Sequence, residues 1–279
     1  MKATIDSNPR PVRRNQPLTL EEIHRAAPSA FAAEPYGAMS SRYSYIPTST
    51  IIEGMRQAGF APFAASQSAT KIDGKRGHTK HMIRFRSQSS AVALGDTFPE
   101  IVLINAHDGS SAYKLMAGLF RLVCANGLVV ADSMMESIHV KHTGNVLEQV
   151  ATGSMELVAR MPEVIDAVAR WKAIQLSSAE QTAFAEAAHV LRFADAEGSV
   201  TTPITPGQLL TPRRVDDSRS DLWSTFNRVQ ENVLRGGLRN YRRSNVRRVT
   251  TRAVTGIDQD VRLNRALWTL TSRMADLKR

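Results

Sequence analysis

The sequence predicts an α+β fold: a mainly antiparallel β-meander covered by helices, followed by a helical and basic C-terminal region. Three observations carry the prediction. Residues 41–143 hold short apolar or alternating runs broken by turn chemistry, residues 145–194 change to a helical period, and the positive charge gathers late in the chain. From Arg213 onward sixteen Lys+Arg face seven Asp+Glu, which is +9 of the chain's net +10. These shifts divide the chain into an N-terminal arm and short helix (1–40), an α+β core (41–195), a Pro/Thr-rich linker (196–218) and a basic helical region (219–279).

Residues 1–18 carry Pro, Asn, Arg10, Arg13 and Arg14 without an apolar period and read as a flexible arm. Thr19 is placed to cap a short helix with Glu21 and Glu22 in its first turn, and Pro28 ends it. Ser41 to Thr48 alternates like a short strand, and Thr48 or Ser49 caps a helix from Thr50 to Ala58 that Gly59 terminates. Phe60 to Ile72 and Thr79 to Ser87 are strand candidates either side of the turn Asp73-Gly74-Lys75-Arg76-Gly77. Alternation in the second puts Lys80, Met82, Arg84 and Arg86 on one face and His81, Ile83 and Phe85 on the other.

The most apolar stretch, Glu100 to Val130, is the centre of the expected core. Ile101 to Ile104 suits a strand buried on both faces, and His107-Asp108-Gly109-Ser110-Ser111 supplies a reversal. Tyr113 to Cys124 fits a helix almost as well as a strand. Asn126-Gly127 between two apolar triplets decides for a hairpin, because a type I′ turn needs positive φ at both central residues. Ser137 to Val140 adds a further strand. Helices across 145–194 then cover the sheet, one of them begun by the capping box Ser177-Ser178-Ala179-Glu180. Leu222, Trp223, Phe226, Val229, Val233 and Leu234 form a helical stripe closed by Gly236-Gly237, and a last amphipathic helix follows Gly256 with Leu263, Leu267, Trp268 and Leu270 inward.

Composition excludes several classes. A single cysteine, Cys124, allows no intrachain disulfide, no apolar run reaches membrane-span length, and the N-terminus has no apolar signal region, so a cytoplasmic protein without membrane contact is expected. His78-x-x-His81 and His139-x-x-His142 lack third and fourth ligands at characteristic spacing, so no metal site is expected. His107, Asp108, Ser110 and Ser111 have the residue types of a hydrolase triad. Crowded into one turn, they do not make a triad, and Asp108 and the serines read instead as caps of backbone amides beside Gly109. There is no Walker loop, no dinucleotide fingerprint and no paired-carboxylate motif. No catalytic residue and no cofactor are expected, and the chain reads as a binding protein rather than an enzyme.

The charge pattern points to a polyanion. Between Glu231 and Asp258 there is no acid, and Arg235, Arg239, Arg242, Arg243, Arg247, Arg248 and Arg252 put seven arginines in eighteen residues. Such a stretch repels itself until phosphates neutralise it. Arg84 and Arg86 are expected to form a second patch on the sheet, with Tyr43 and Tyr45 available to stack on bases of single-stranded DNA. The same arginines have another use open to them, pairing with Asp216, Asp217, Asp221 or the acids of a second copy, which would make the stretch a homo-oligomer contact.

Arg42-Tyr43-Ser44-Tyr45-Ile46-Pro47-Thr48, Asn105 to Ser111, Phe120 to Leu128, Val229-Gln230-Glu231-Asn232 and Thr255-Gly256-Ile257-Asp258 together resemble family 932 of the domains of unknown function, which has prophage and plasmid members. The resemblance spans nearly the whole chain and implies mobile-element biology, with no catalytic residue to carry over. Phage single-strand annealing proteins are similar at the level of a meander backed by a helix, which implies DNA binding or annealing in recombination. Two other functions stay open: an interaction protein that blocks a host defence enzyme by docking on an acidic host protein, and a nuclease with an unrecognised metal site.

Overall fold

The computed structural model describes residues 9–37, 45–88, 97–121, 126–130, 137–140, 145–239 and 249–278. They form two compact units, Met1–Pro162 and Glu163–Arg279. The division falls inside one helix, not near residue 195 where the composition changes.

The first unit is built on a seven-stranded antiparallel sheet. Its strands are β1 (Val12–Arg13), β2 (Phe60–Gln67), β3 (His81–Ser87), β4 (Thr97–Asn105), β5 (Tyr113–Arg121), β6 (Asn126–Val129) and β7 (Ile138–Val140). The first six neighbour one another in sequence order, and β7 lies beyond β6 on the same edge of β5. Helices α1 (Leu20–Ala26) and α2 (Thr48–Gln57) precede β2, and the N-terminal part of α3 (Val146–Ala173) follows β7. The register puts Phe60, Ile83, Phe85, Ile101, Leu103, Leu115 and Leu119 on one face. There α3 approaches closely: a Cβ on Gly153 would lie 3.1 Å from Leu115 and 3.2 Å from Ile138. Ser154 Oγ also sits 3.3 Å from Met55 of α2.

Several local expectations hold. Thr19 and Glu22 make a reciprocal capping box at α1, and Gly59 with φ 85° ends α2. Tyr113–Arg121 is a strand, because as β5 it pairs from Lys114 to Arg121 with the apolar β4. Others change. Val12–Arg13 is an edge strand rather than a free arm, and Arg14 and Leu18 add hydrogen bonds to Phe63 and Pro62, since the outer edge of β2 has backbone groups to pair. Tyr45–Pro47 is not strand, and α2 begins at Thr48; residues 41–44 lie outside the described residues.

The hairpin between β5 and β6 forms, but Asn126 and Gly127 are not its turn. Arg121 pairs with Asn126 and Phe120 with Gly127, so both lie in the paired strand; residues 122–125, Cys124 among them, lie outside the described residues. This register sets Leu119 opposite Leu128 on the buried face, and burying that pair outweighs the local turn preference.

The second unit contains the rest of α3, α4 (Ser178–Phe193), α5 (Pro206–Leu209), α6 (Leu222–Arg235) and α7 (Ile257–Leu277). Ser177 and Glu180 form the predicted capping box on α4. This helix packs on α5, α6 and α7. The stretch expected as a linker is folded in as well, with Ile204, Leu209 and Asp217 buried and His189 Nε2 on the Ile204 carbonyl at 2.7 Å. α6 is buried on every side from Leu222 to Leu234, polar residues included. Trp171, Trp223, Phe226 and Trp268 make its aromatic centre, with Trp171 and Trp268 rings 4.4 Å apart.

Candidate nucleic-acid interface

Arg84 and Arg86 share a sheet face as expected, yet that face is not a basic surface. Arg84 is 1% exposed and Arg86 9%. Both reach Glu100 of the neighbouring strand, Arg84 Nη1 at 3.1 Å and Arg86 Nε at 3.0 Å. Arg84 also donates to the Leu128 carbonyl, and the room it needs is supplied by Gly118, where a Cβ would stand 3.3 Å from Nη1 and 2.8 Å from Val102. The Arg86 guanidinium lies over Phe120 and Phe63, 3.9 and 4.2 Å from the ring centroids. Burial lowers the Arg86 pKa from its ordinary value; Glu100 pulls it back up and Arg84 pushes it down. Phosphate of a nucleic acid has no path to Arg84, so the second patch is corrected to an interior ion cluster.

A second buried cluster joins α2 to the far end of the sheet. Thr48 Oγ1 is 2.8 Å from His81 Nε2, 3.2 Å from His107 Nε2 and 3.2 Å from Asn105 Nδ2. His81 Nδ1 faces the Thr79 carbonyl at 3.1 Å, which accepts only, so Nδ1 carries the proton and the bare Nε2 accepts from the Thr48 hydroxyl. Burial pushes the His81 pKa down to about 4, against a smaller upward pull from Thr79. Tyr113 donates to the Ile46 carbonyl, and the Tyr45 ring lies against His107 at 5.0 Å. Tyr45 is therefore packed rather than displayed for stacking; Tyr43 lies outside the described residues.

In the turn after β4 Asp108 caps a backbone amide as expected, whereas Ser111 Oγ donates to the Ala112 carbonyl instead. Asp108 Oδ1 accepts from the Ser110 amide at 3.0 Å beside Gly109 with φ 77°, and His107 is fully buried. Burial raises the Asp108 pKa, but the Ser110 hydrogen bonds and the Lys75 charge outweigh it and leave the group below its ordinary value. His78 packs on Tyr36 while His81 faces Thr48, so the two histidines do not converge. Among the described residues no cluster of three or more His, Cys, Asp or Glu could hold a metal ion.

At the C-terminal end of α6 the structure gathers cations. Glu231, buried, accepts from Arg214 and from Arg235, each at 2.6 Å. Arg213 reaches Asn232 Oδ1 at 2.7 Å and the Gly236 carbonyl; burial lowers its pKa, Glu231 raises it, and Arg235 and Arg214 lower it further. Two guanidiniums thus share one carboxylate, with a third close by. Gly236 and Gly237, at φ 63° and 79°, then turn the chain into a closed neck. Gly237 N donates to Thr251 O, Thr251 N donates to Leu238 O, and Arg239 bridges Thr250. Arg192 and Gln208 fasten the neck from outside, on the Arg252 and Arg239 carbonyls. Arg239 and Arg252 are exposed at its rim; Arg242, Arg243, Arg247 and Arg248 fall in 240–248, outside the described residues. The described arginine of this stretch with an acid partner, Arg235, uses Glu231 and not Asp216, Asp217 or Asp221.

A family described as a domain of unknown function, DUF932, matches residues 35–268. The chain belongs to the DUF932 family. Two curated relatives from Escherichia coli (strain K12) are similar over 263 residues, 94% of this chain and 93% of each of theirs: UPF0380 protein YafZ at 42% identity and UPF0380 protein YfjQ at 41%. No solved structure matches it significantly. In this DUF932 chain, Thr48 from one family stretch and Asn105 and His107 from another meet in the buried cluster.

Sequence reasoning missed the ion-pair roles of Glu100 and Glu231. Glu100 had a signal: a lone carboxylate entering an apolar strand needs a cation on the same face of its neighbour, and Arg84 and Arg86 had already been assigned to one face. For Arg213 and Arg214, assigned to a linker, only the folded second unit brings them to α6.

Proposed function

We propose that the protein binds single-stranded DNA through the arginine-rich connection between α6 and α7, holding phosphates without reading bases and without catalysing a reaction. The observation that supports this best is the neck. It pairs the residues that flank 240–248, a segment whose charged residues are all arginine, so both ends of that segment are pinned side by side. Beside it Arg214 and Arg235 share Glu231 with Arg213 close by, which leaves this end of α6 with surplus positive charge. Surplus charge concentrated in one place releases counterions when phosphates replace them.

The test is an oligonucleotide titration at two salt concentrations, on the wild type and on Arg242→Ala/Arg243→Ala/Arg247→Ala/Arg248→Ala, with mass measured in parallel. Loss of four phosphate contacts should weaken all sequences about equally and flatten the logarithmic salt slope by about 3. Unchanged affinity and slope would remove the stretch as the DNA site. A change in mass alone would assign it to assembly.

A further inference from the structure

β3 and β4 pair from His81–Asn105 to Phe85–Ile101 and stop, although β3 continues to Ser87 and β4 begins at Thr97. Each remains paired on its other side, Arg86 with Ala61 and Glu100 with Gly118. In the split lies a cavity of about 410 Å³ within the first unit, walled by Phe60, Phe63, Phe85 and Phe98 and by Val158 and Met161 of α3. Among the described residues, Arg86 and Glu100 are its charged groups.

We propose that this cavity binds a small organic monoanion with a flat apolar body, an aromatic or conjugated carboxylate, whose charged end meets Arg86 while its body lies among the phenylalanines. Its volume falls in the range of sites for small molecules, and an apolar wall with a few convergent polar groups is their usual lining. Charge sets the sign of the ligand. Two guanidiniums stand against one carboxylate, so the cluster of Arg84, Arg86 and Glu100 carries one uncompensated positive charge in the protein interior.

The hydrogen-bond count points the same way. Arg86 Nη2 is buried without a hydrogen-bond partner among the described residues. Water entering the cavity would satisfy a donor and leave the charge; a carboxylate does both, and guanidinium–carboxylate contacts are among the stronger hydrogen bonds. Burial lowers the Arg86 pKa by more than Glu100 restores. Phenylalanines on several sides favour a planar body over a branched one, because ring faces and edges pack against flat π-systems at low cost. The site is in the other unit from the DNA-binding stretch, and neither proposal depends on the other.

The probes are 2-naphthoate and its uncharged isostere 2-naphthamide, titrated calorimetrically into the full-length protein. Binding of naphthoate at one site per chain is expected, with the amide weaker by about tenfold or more, as loss of a charged hydrogen bond implies. Val158 is only half-buried, so Val158→Trp fills the cavity from α3 without emptying the core and should reduce naphthoate affinity by about tenfold or more while the fold, checked by circular dichroism, is kept. Arg86→Gln, where it folds, should abolish the preference for naphthoate over naphthamide. No saturable binding, equal affinity for the acid and the amide, or naphthoate binding unchanged in Val158→Trp would each overturn the proposal.

Discussion

One hydroxyl, Thr48 Oγ1, organises the polar end of the first unit. It donates to His81 and receives from Asn105 and His107, so it ties the first turn of α2 to the ends of β3 and β4. The arrangement requires a neutral His81, and its pKa near 4 lies below the value of about 6.5 for an unfolded histidine. Between those values the unfolded chain binds the extra proton, so stability falls as pH drops from about 6.5 to about 4 and levels off below. The full contribution is about 3 kcal/mol. Denaturant melts from pH 7 to 4 should show that slope in the wild type, and His81→Gln should flatten it. An unaltered slope in the variant would assign the proton to another group. Sequence alone could place His81 on the packed face of β3. It could not show what would face it, because Thr48 is thirty-three positions away and belongs to another element.

At the scale of elements, the end of α6 does most of the positioning at the proposed interface. Gly236 combines φ 63° with ψ −150°, and a Cβ there would lie 2.6 Å from the Arg252 carbonyl carbon and 2.7 Å from its oxygen. Only glycine relaxes in that region, where other residues store about 1–3 kcal/mol, and here the steric conflict is with backbone that closes the neck. Gly236→Ala should therefore lower the thermal midpoint of the second unit and, by loosening the neck, weaken oligonucleotide binding with the four loop arginines intact. A melting curve and a titration matching wild type would show that the neck tolerates a side chain. The Gly236-Gly237 stop was readable from sequence as the end of a helical stripe. Its pairing with Thr251 was not, since that needs the return strand in register.

For the whole molecule, the division into two units gives a spectroscopic separation. Trp171, Trp223 and Trp268, the chain's three tryptophans, all lie after Pro162, whereas every strand of the sheet lies before it. Gly118→Ala places a methyl 2.8 Å from Val102 Cγ2 and 3.0 Å from the Leu128 carbonyl oxygen, beside the buried Arg84. Overpacking of this kind costs about 1–3 kcal/mol. The far-UV circular dichroism transition should fall by several degrees, while the tryptophan fluorescence transition keeps its midpoint. Equal shifts in both probes would mean that the two units unfold as one.

What the sequence by itself determined was local and periodic: the α+β class, the strand alternation, the capping boxes at Thr19 and Ser177, the Asp108-Gly109 turn and the late concentration of arginine. Each depends on residues a few positions apart, where propensity, hydrogen-bond reach and charge density act directly. Tertiary structure decided the rest. The hairpin register overrode Asn126-Gly127 because burying Leu119 against Leu128 is worth more than a favoured turn, and Arg84 and Arg86 turned inward because Glu100 waits on the next strand. Whether a charged side chain is a surface or a core depends on its neighbour across the sheet, and strand pairing, not spacing, supplies that neighbour.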